Sequence, residues 1–239
     1  MISRFAPGCK PGPIARFVAL AYARAMARRD FAHVTTWVFD LDNTLYPPEA
    51  RLFDQIEARM TAFVRDFLGV SAAEADRIRH EYWREHGTTL AGLMRRHDMD
   101  PGPYLRAVHD ISLDHLAPDP ALRAAIARLP GRRIVYTNGS GDYAARVVAA
   151  RGLAGVFDAI YGVEHAGFRP KPEAAAFAAV LERDGSEAGR AAMFEDDPRN
   201  LAAPHAMGMR TVHDAPAPVR AAHIHHHTDD LGRFLKRLV

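Results

Sequence analysis

The amino-acid sequence predicts an α/β fold with a parallel β-sheet core and an inserted α-helical cap. Two observations carry this prediction. Short apolar strand patterns alternate with helical patterns along most of the chain, which is typical of right-handed βαβ units and parallel strands. About 70 residues after the first strand pattern show helical periodicity alone, which is too long a stretch for a loop. With 239 residues, 48% of them hydrophobic, the chain can bury a core of this kind.

The strand patterns are short runs rich in β-branched, aromatic and apolar residues, bounded by turn residues. Five of them belong to the predicted sheet, at residues 35–39, 132–137, 158–162, 191–195 and 209–212. The stretch HIHHHTDDL, at residues 223–231, alternates as a short edge strand before a C-terminal helix. A histidine metal site is the alternative for this stretch, but no acid or cysteine is spaced as a further ligand, so the edge strand is favoured.

Start and stop signals delimit the helices between the later strands. Asp119-Pro120 opens one helix, a second runs over residues 142–151 and ends at Gly152, and Lys171-Pro172-Glu173 opens a third. Helices alternating with parallel strands on this scale predict a Rossmann-like core.

The cap prediction rests on four helical segments. Apolar residues from Leu52 to Phe67 fall at helical spacing and Gly69 can end that helix. Ser71 and Glu74 form a capping box for a second helix, and shorter helices are expected over residues 89–97 and 104–111. The predicted organisation is an N-terminal extension at residues 1–33, an α/β catalytic core at 34–47 and 119–239, and a helical cap at 48–118.

The charge distribution separates the extension from the body. Residues 1–29 contain six basic residues and no acid, whereas the rest of the chain has 25 basic and 29 acidic residues. The body therefore gives no reason to expect a nucleic-acid partner. The extension could be a surface helix, a targeting segment or leader residues from an upstream start codon. Arg16 cuts the apolar run to residues 17–23, which is at the short end for the apolar region of a signal peptide, and a loosely docked helix is favoured.

Cysteine and hydropathy exclude further classes. Cys9 is the one cysteine of the sequence, so the body has no disulfide, thiolate zinc site or cysteine nucleophile. No apolar run approaches the length of a membrane span. A cytoplasmic location without a membrane span is therefore expected. The sequence leaves the oligomeric state open.

Polar residues follow the strand patterns at the points where the strands end. They are Asp40 and Asp42, then Thr137, Asn138 and Gly139, then Lys171, and finally Glu195, Asp196 and Asp197. Ligands bind beyond the carboxyl ends of parallel strands, so these side chains are expected to converge. Clustered carboxylates need a cation, and oxygen ligands favour Mg²⁺ together with a phosphate oxygen. The charge of Lys171 opposes the dipole of the helix it precedes, which indicates an anionic partner.

These residue types suit phosphoryl transfer. A carboxylate beside Mg²⁺ can attack phosphorus and form an aspartyl-phosphate. A second carboxyl group two residues away can protonate the leaving oxygen and then deprotonate the attacking water. Thr137, the amides after it and Lys171 can bind the phosphoryl oxygens, and Asp196 can complete the metal site.

The order and identity of these motifs resemble the haloacid dehalogenase-like hydrolases, over residues 34–239. The resemblance implies that Asp40 is the nucleophile and Asp42 the acid/base. It implies that Asp40, the backbone carbonyl of Asp42, and Asp196 bind Mg²⁺. Asp197 is expected either to contact these ligands without touching the ion or to bind the ion through a water molecule. The expected substrate- and phosphate-binding residues are Thr137, Asn138, Gly139, Lys171 and Asn43.

Three stretches further resemble the pyrimidine 5′-nucleotidase group: the run Asp-Asn-Thr-Leu-Tyr from Asp42, residues 86–93, and residues 194–201. This resemblance implies a pyrimidine nucleoside 5′-monophosphate as substrate. Pro198 departs from the usual small polar residue and is expected only to start a helix. Asn43, Tyr46 and residues 87–93 are the expected specificity elements, although the glycines and threonines of the last segment could equally form a tight helix corner.

Other functions are weighed against this one. Within the fold, the alternatives are a phosphoglycolate phosphatase, a sugar-phosphate phosphatase or a mutase, whereas a dehalogenase has no need for the second aspartate. A catalytically inactive relative is disfavoured because no motif residue is missing. The stretch from Gly139 to Ala144 matches the dinucleotide-binding pattern G-x-G-x-x-A, with Glu164 as a possible ribose ligand. That hypothesis leaves four residues unexplained, namely Asp40, Asp42, Lys171 and Asp196.

Overall fold

The computed structural model describes residues 28–239, and its centre is one six-stranded parallel sheet. The strands are β1 (Thr36–Phe39), β2 (Arg132–Tyr136), β3 (Ala159–Tyr161), β4 (Ala191–Glu195), β5 (Arg210–Asp214) and β6 (His226–Thr228). Their order in the sheet is β3-β2-β1-β4-β5-β6, and every neighbouring pair is parallel. The predicted α/β fold is confirmed, and so is the short edge strand in the histidine-rich stretch.

Strand β1 lies in the middle of the sheet and sets the position of the residues that follow it. Phe39, its last residue, is opposite Val135 of β2 and Phe194 of β4. All four residues of β1 are buried, because helices cover both faces of the sheet. Strands covered on both faces are apolar without alternation, as this one is.

The insertion after β1 contains four helices, as predicted. They are α1 (Leu52–Leu68), α2 (Ala72–His86), α3 (Thr89–His97) and α4 (Pro101–Val108). Helix α1 ends at Gly69, whose φ of 65° suits glycine, and the Ser71 hydroxyl accepts a hydrogen bond from the Glu74 amide at 3.2 Å. Helix α4 begins before the predicted residue 104, because Asp100 caps it and Pro101 occupies its first turn.

Between residues 120 and 238, five helices belong to the core. They are α5 (Pro120–Ala127), α6 (Gly141–Ala150), α7 (Ala174–Asp184), α8 (Ala202–Ala206) and α9 (Leu231–Leu238). The Asp119 carboxylate accepts from the Leu122 amide at 2.8 Å and caps α5, as its sequence signal predicts. Pro198 starts a 3-10 turn that leads into α8. None of the helices in residues 28–239 has the length and apolarity that a membrane crossing requires.

The packing of the core extends to residues before the predicted boundary at 34. Phe31 is buried and its ring stacks on Trp37, with centroids 5.9 Å apart. Asp30 lies 3.4 Å from His226 of the edge strand. The prediction of a loosely docked basic helix concerns residues that lie largely outside the described part of the chain, and the domain boundaries remain a prediction.

Candidate active site

The carboxyl ends of β1, β2 and β4 meet around the side chain of Lys171. Its ammonium nitrogen lies 2.5 Å from Asp40 Oδ1, 3.3 Å from Glu195 Oε1 and 3.2 Å from the Tyr136 carbonyl oxygen. Each of its three protons therefore has an acceptor. Burial disfavours the charged lysine, yet Asp40 and Glu195 together raise the pKa of Lys171 above its usual value. In the structure the anionic partner of Lys171 is this pair of carboxylates, and its contact with a phosphoryl group stays a prediction.

A group of three carboxylates at the same edge of the sheet fits a divalent metal ion. One oxygen from each of Asp40, Glu195 and Asp196 lies within 4.8 Å of the others. Burial and then the charge of Asp40 raise the pKa of Asp196 to about 7, and burial raises the pKa of Glu195 well above its usual value. Glu195 Oε2 is buried without a hydrogen-bond partner among the described residues. A hard cation would compensate these charges, and an all-oxygen donor set suits Mg²⁺.

Glu195 was expected at this edge of the sheet, but no role among the metal or phosphate ligands was predicted for it. It stands in the strand, immediately before the predicted ligand Asp196, and its Oε1 accepts hydrogen bonds from both Lys171 and Asn200. Its signal in the sequence is a charged residue that ends an otherwise apolar strand. The Asp42 side chain is outside the group, which is compatible with its expected contribution through the backbone carbonyl.

The Asp42 carboxylate is surrounded by hydroxyl groups. Oδ1 accepts hydrogen bonds from Tyr46 at 2.6 Å and from Tyr143 at 2.9 Å, and Oδ2 accepts one from Thr137 at 3.4 Å. Burial and then the charge of Asp40 raise the pKa of Asp42 to about 6, against the effect of the tyrosine hydroxyls. A carboxyl group with such a pKa can both give and take a proton near neutral pH.

The remaining predicted phosphate-binding residues lie in the loop after β2 and around it. Asn138 connects this loop to Lys171, because its Oδ1 accepts from the Lys171 amide at 2.8 Å and its Nδ2 donates to the Lys171 carbonyl at 3.2 Å. The Gly139 amide donates to the Thr137 hydroxyl at 2.9 Å. Asn43 has a φ of 58° and donates to Asp196 Oδ2 at 3.3 Å. The structure thus gathers all of these residues at one site.

Asp197 has two local partners. Its carboxylate accepts hydrogen bonds from the Arg199 amide at 2.9 Å and from the Arg199 guanidinium at 2.5–3.1 Å. Although burial acts in the opposite direction, these contacts hold the pKa of Asp197 below its usual value. Asp197 therefore caps the turn after β4, and a contact with the metal through water remains a prediction.

The G-x-G-x-x-A stretch forms the capping contacts at the start of α6. The Gly141 amide donates to Glu164 Oε1 at 2.8 Å, so a carboxylate occupies the helix N-terminus where a dinucleotide would place its pyrophosphate. The Ser140 hydroxyl accepts from the Tyr143 amide at 3.3 Å and caps the same turn. Both contacts argue against the dinucleotide-binding alternative.

A cavity of about 380 Å³ separates the sheet edge from the helical insertion. Its floor contains the carboxylates and Lys171. The insertion contributes an apolar wall that includes Phe53, Ile56, Met60, Leu90, Leu105 and Val108. At its rim the Arg199 guanidinium lies 3.9 Å from the centre of the Trp83 ring.

The polar groups of the insertion-side wall are mostly paired. Arg79 forms ion pairs with Glu57 at 3.0 Å and with Asp76 at 3.1 Å. The buried Tyr104 hydroxyl has no hydrogen-bond partner among the described residues. This wall therefore offers apolar surface, a neutral hydroxyl and an arginine whose charge is already compensated.

The segment at residues 87–93 combines packing with access to the cavity. The Thr88 hydroxyl accepts from the Ala91 amide at 3.1 Å, and the Thr89 hydroxyl donates to the Arg79 carbonyl at 3.3 Å. A Cβ atom on Gly92 would lie 2.3 Å from Tyr82 Cγ, so that glycine serves close packing. Both threonines line the cavity, whereas Tyr46 does not.

The histidine-rich stretch contributes no metal site to the part of the chain that the structure describes. Within residues 28–239, the Asp40, Glu195 and Asp196 group is the one set of three clustered ligands. His225 lies beside the Thr211 hydroxyl at 2.7 Å, and His223 Nε2 lies 2.9 Å from the Pro198 carbonyl. These histidines are thus engaged in strand-to-loop contacts.

The fold and the site together define a hydrolase with a parallel-sheet core, in which a group of carboxylates and a lysine lies beneath a helical insertion. Residues 34–208 match the family model described as haloacid dehalogenase-like hydrolase, and the chain belongs to this family.

Similar proteins are found in yeast, bacteria and archaea. Phosphate metabolism protein 8 of Saccharomyces cerevisiae is 28% identical over 187 residues, which cover 72% of this chain and 58% of that protein. The chain thus spans less than two thirds of this relative. The HAD-hydrolase YfnB of Bacillus subtilis, solved with bound magnesium, has a TM-score of 0.56 at 16% identity, with 86% of this chain and 98% of that chain covered. A HAD phosphatase of Thermococcus onnurineus has a TM-score of 0.57 at 20% identity and the same coverage. At these identities the two structures show a shared fold.

Proposed function

We propose that the protein is a Mg²⁺-dependent phosphomonoesterase that acts through an aspartyl-phosphate on Asp40. The observation that carries the proposal is the position of Asp40. It is buried at the end of the central strand, 2.5 Å from Lys171, and grouped with Asp196 and Glu195 in a set of oxygen ligands. The magnesium in YfnB and the phosphatase from Thermococcus onnurineus support this proposal by family analogy.

Mg²⁺ would be held by the carboxylates of Asp40 and Asp196 and by the backbone carbonyl of Asp42. Glu195 forms an ion pair with Lys171, as Asp40 does, and one of its oxygens lies within 4.8 Å of the other carboxylate ligands. When bound, the ion would neutralise the carboxylates and polarise a phosphoryl oxygen.

The chain's own residues account for each proton and bond. A carboxylate oxygen of Asp40 forms a bond to phosphorus while the ester P–O bond breaks, and the proton of Asp42 passes to the departing oxygen to give an alcohol. Water then attacks the same phosphorus and gives a proton to Asp42. The bond between Asp40 and phosphorus breaks, and inorganic phosphate leaves. Lys171, Thr137 and the loop at Gly139 stabilise the charge on the phosphoryl oxygens in both steps.

The proposed substrate is a pyrimidine nucleoside 5′-monophosphate. The resemblance of the run from Asp42 to Tyr46 and of residues 86–93 to pyrimidine 5′-nucleotidases supports this choice. The cavity of about 380 Å³ falls within the roughly 300–1,000 Å³ of small-molecule sites. Its apolar wall suits a flat ring, and the Thr88 hydroxyl, which accepts from the Ala91 amide, has a proton to donate to the edge of that ring.

The same wall argues against a carboxylate-bearing substrate such as phosphoglycolate. Arg79 is neutralised by Glu57 and Asp76, and Arg199 at the rim is paired with Asp197. Neither arginine has an unpaired charge for a second anionic group. A sugar phosphate would place several hydroxyl groups against apolar side chains, which is costly without hydrogen-bond partners.

The test is a comparison of kcat/KM for UMP and CMP with AMP, GMP, phosphoglycolate and hexose phosphates, with Mg²⁺ and with EDTA. We expect Mg²⁺-dependent release of phosphate and a preference for the pyrimidine nucleotides. Thr88→Val and Thr89→Val should reduce this preference, whereas Thr35→Val, at an exposed position just before β1, should keep it. A wild-type protein that prefers phosphoglycolate or treats purines and pyrimidines alike refutes the substrate. Absence of phosphatase activity on every monoester refutes the function.

A further inference from the structure

The carboxylate of Asp42 is held by two tyrosine hydroxyls to which the proposed function assigns no part. Tyr46 donates to Oδ1 over 2.6 Å and Tyr143 donates to the same oxygen over 2.9 Å. Tyr46 belongs to the turn after β1, whereas Tyr143 lies in α6, and both rings are 1% exposed. Two distant parts of the chain thus converge on one oxygen atom.

The rings that carry these hydroxyls are themselves fixed. The Tyr143 ring stacks on the His109 ring, with centroids 4.4 Å apart and planes inclined by 8°. Next to Tyr46, the Leu45 carbonyl accepts a hydrogen bond from Arg151 Nε at 3.1 Å. Because the two rings are buried and supported in this way, the hydroxyls have few other positions.

The two contacts distinguish the two oxygens of Asp42. A carboxylate oxygen has two lone pairs, and on Oδ1 both are used by the tyrosines. Oδ2 has the Thr137 hydroxyl at 3.4 Å, on the side proposed for the phosphoryl group. A proton on Oδ1 would displace a tyrosine donor, whereas a proton on Oδ2 displaces none.

We infer that Tyr46 and Tyr143 are positioning residues that anchor Oδ1 of Asp42 and make Oδ2 the oxygen that gives and takes the proton. This inference rests on the proposed phosphatase function. General acid catalysis requires the donor oxygen within hydrogen-bond reach of the leaving group. If the anchors are lost, the carboxyl group can rotate and its proton is presented less often to the ester oxygen.

The experiment compares two leaving groups. An alkoxide needs a proton as it departs, whereas para-nitrophenolate departs without one. We measure kcat/KM in Mg²⁺ for Tyr46→Phe and Tyr143→Phe, with para-nitrophenyl phosphate and with the alkyl monoester that wild type hydrolyses fastest. We expect each variant to lose about tenfold to a hundredfold on the alkyl ester and less than about threefold on para-nitrophenyl phosphate.

Two reference variants calibrate the result. Asp42→Asn should show the same selective loss with a greater magnitude. Tyr161→Phe deletes a tyrosine hydroxyl that donates to Asp184 Oδ1 at 3.0 Å, away from the site, and should change neither rate. The two tyrosine variants are made singly, and the thermal unfolding of each is measured. If one variant folds poorly, the other still tests the inference.

The outcomes separate this inference from the proposed function. Equal losses on the two substrates indicate general damage to the site, and unchanged rates indicate that the anchors are unnecessary; either result overturns the positioning role. If wild type hydrolyses neither kind of ester, the proposed function fails and the positioning role fails with it.

Discussion

The buried ammonium group of Lys171 gives a prediction whose magnitude follows from the structure. Lys171 is 1% exposed and touches Asp40 and Glu195, which are 4% and 1% exposed. Lys171→Met keeps most of the side-chain volume and removes the charge. Without a metal ion, two carboxylates are then buried with no cation beside them.

Removing one partner of a buried ion pair costs about 3–5 kcal/mol. In a protein of this size about 1 kcal/mol corresponds to roughly 2–4 °C, so we expect Lys171→Met to lower Tm by roughly 6–20 °C in EDTA. The loss should be smaller at pH 5 than at pH 8. Burial raises the pKa of Glu195 well above its usual value. The folded protein therefore loses stability as the pH rises through that pKa, because the buried carboxyl group must then ionise.

Thermal and urea unfolding followed by circular dichroism, at pH 5 and pH 8, measure this effect. Lys236→Met, at an exposed position in the last turn of α9, is the matched control and should cost less than about 1 kcal/mol. A Lys171→Met loss no larger than the control would show that the buried lysine does not stabilise the carboxylates. A loss that grows as the pH falls would contradict the assigned direction of the pKa shift.

Three further predictions concern the metal, a buried histidine and the edge of the core. Mg²⁺ should raise the Tm of wild type in scanning fluorimetry, and Asp196→Asn should lose most of that rise, because it removes one of the clustered carboxylates; an equal rise in both contradicts the site. Burial lowers the pKa of His109 from 6.5 to about 4, so stability is lost as the pH falls through that window, by up to about 3 kcal/mol. His109→Phe should flatten the acid side of the stability curve, and an unchanged curve would refute this. Phe31→Ala should cost about 3–5 kcal/mol in urea unfolding, and a loss below about 1 kcal/mol would mean that residues before 34 do not support the core.

The sheet could be predicted from the sequence because its signals are local. Strands covered on both faces are short apolar runs, and Gly69, Ser71 and Asp119 mark helix ends by backbone and capping preferences that act within one turn. The predicted start of α4 at residue 104 is wrong, because Asp100 caps the helix and Pro101 suits its first turn, so the helix begins three residues earlier.

The site could be predicted where its residues directly follow strands. Asp40, Asp42, Thr137 and Asp196 are brought together by the parallel topology, which places the ends of neighbouring strands at one edge. The sequence places Glu195 at the same strand end, but its pattern alone does not show that the Glu195 side chain contacts Lys171.

The tyrosine contacts with Asp42 illustrate what local patterns cannot supply. Tyr143 is 101 positions from Asp42 in the sequence, and its role depends on how α6 packs. Tyr46 was expected at the specificity pocket, but its hydroxyl points to Asp42 Oδ1 instead. Neither contact follows from spacing, because both depend on the three-dimensional arrangement of the turn and the helix.

The covalent intermediate on Asp40 is the central claim, and chemical trapping tests it most directly. The protein is mixed with Mg²⁺ and its best monoester, quenched in acid during turnover and reduced with borohydride, which converts an aspartyl-phosphate to homoserine. Peptide mass spectrometry should locate homoserine at position 40, and Asp40→Asn should show neither trapped product nor turnover while its unfolding stays cooperative. Homoserine at another position, or appreciable phosphatase activity in Asp40→Asn, would contradict the account.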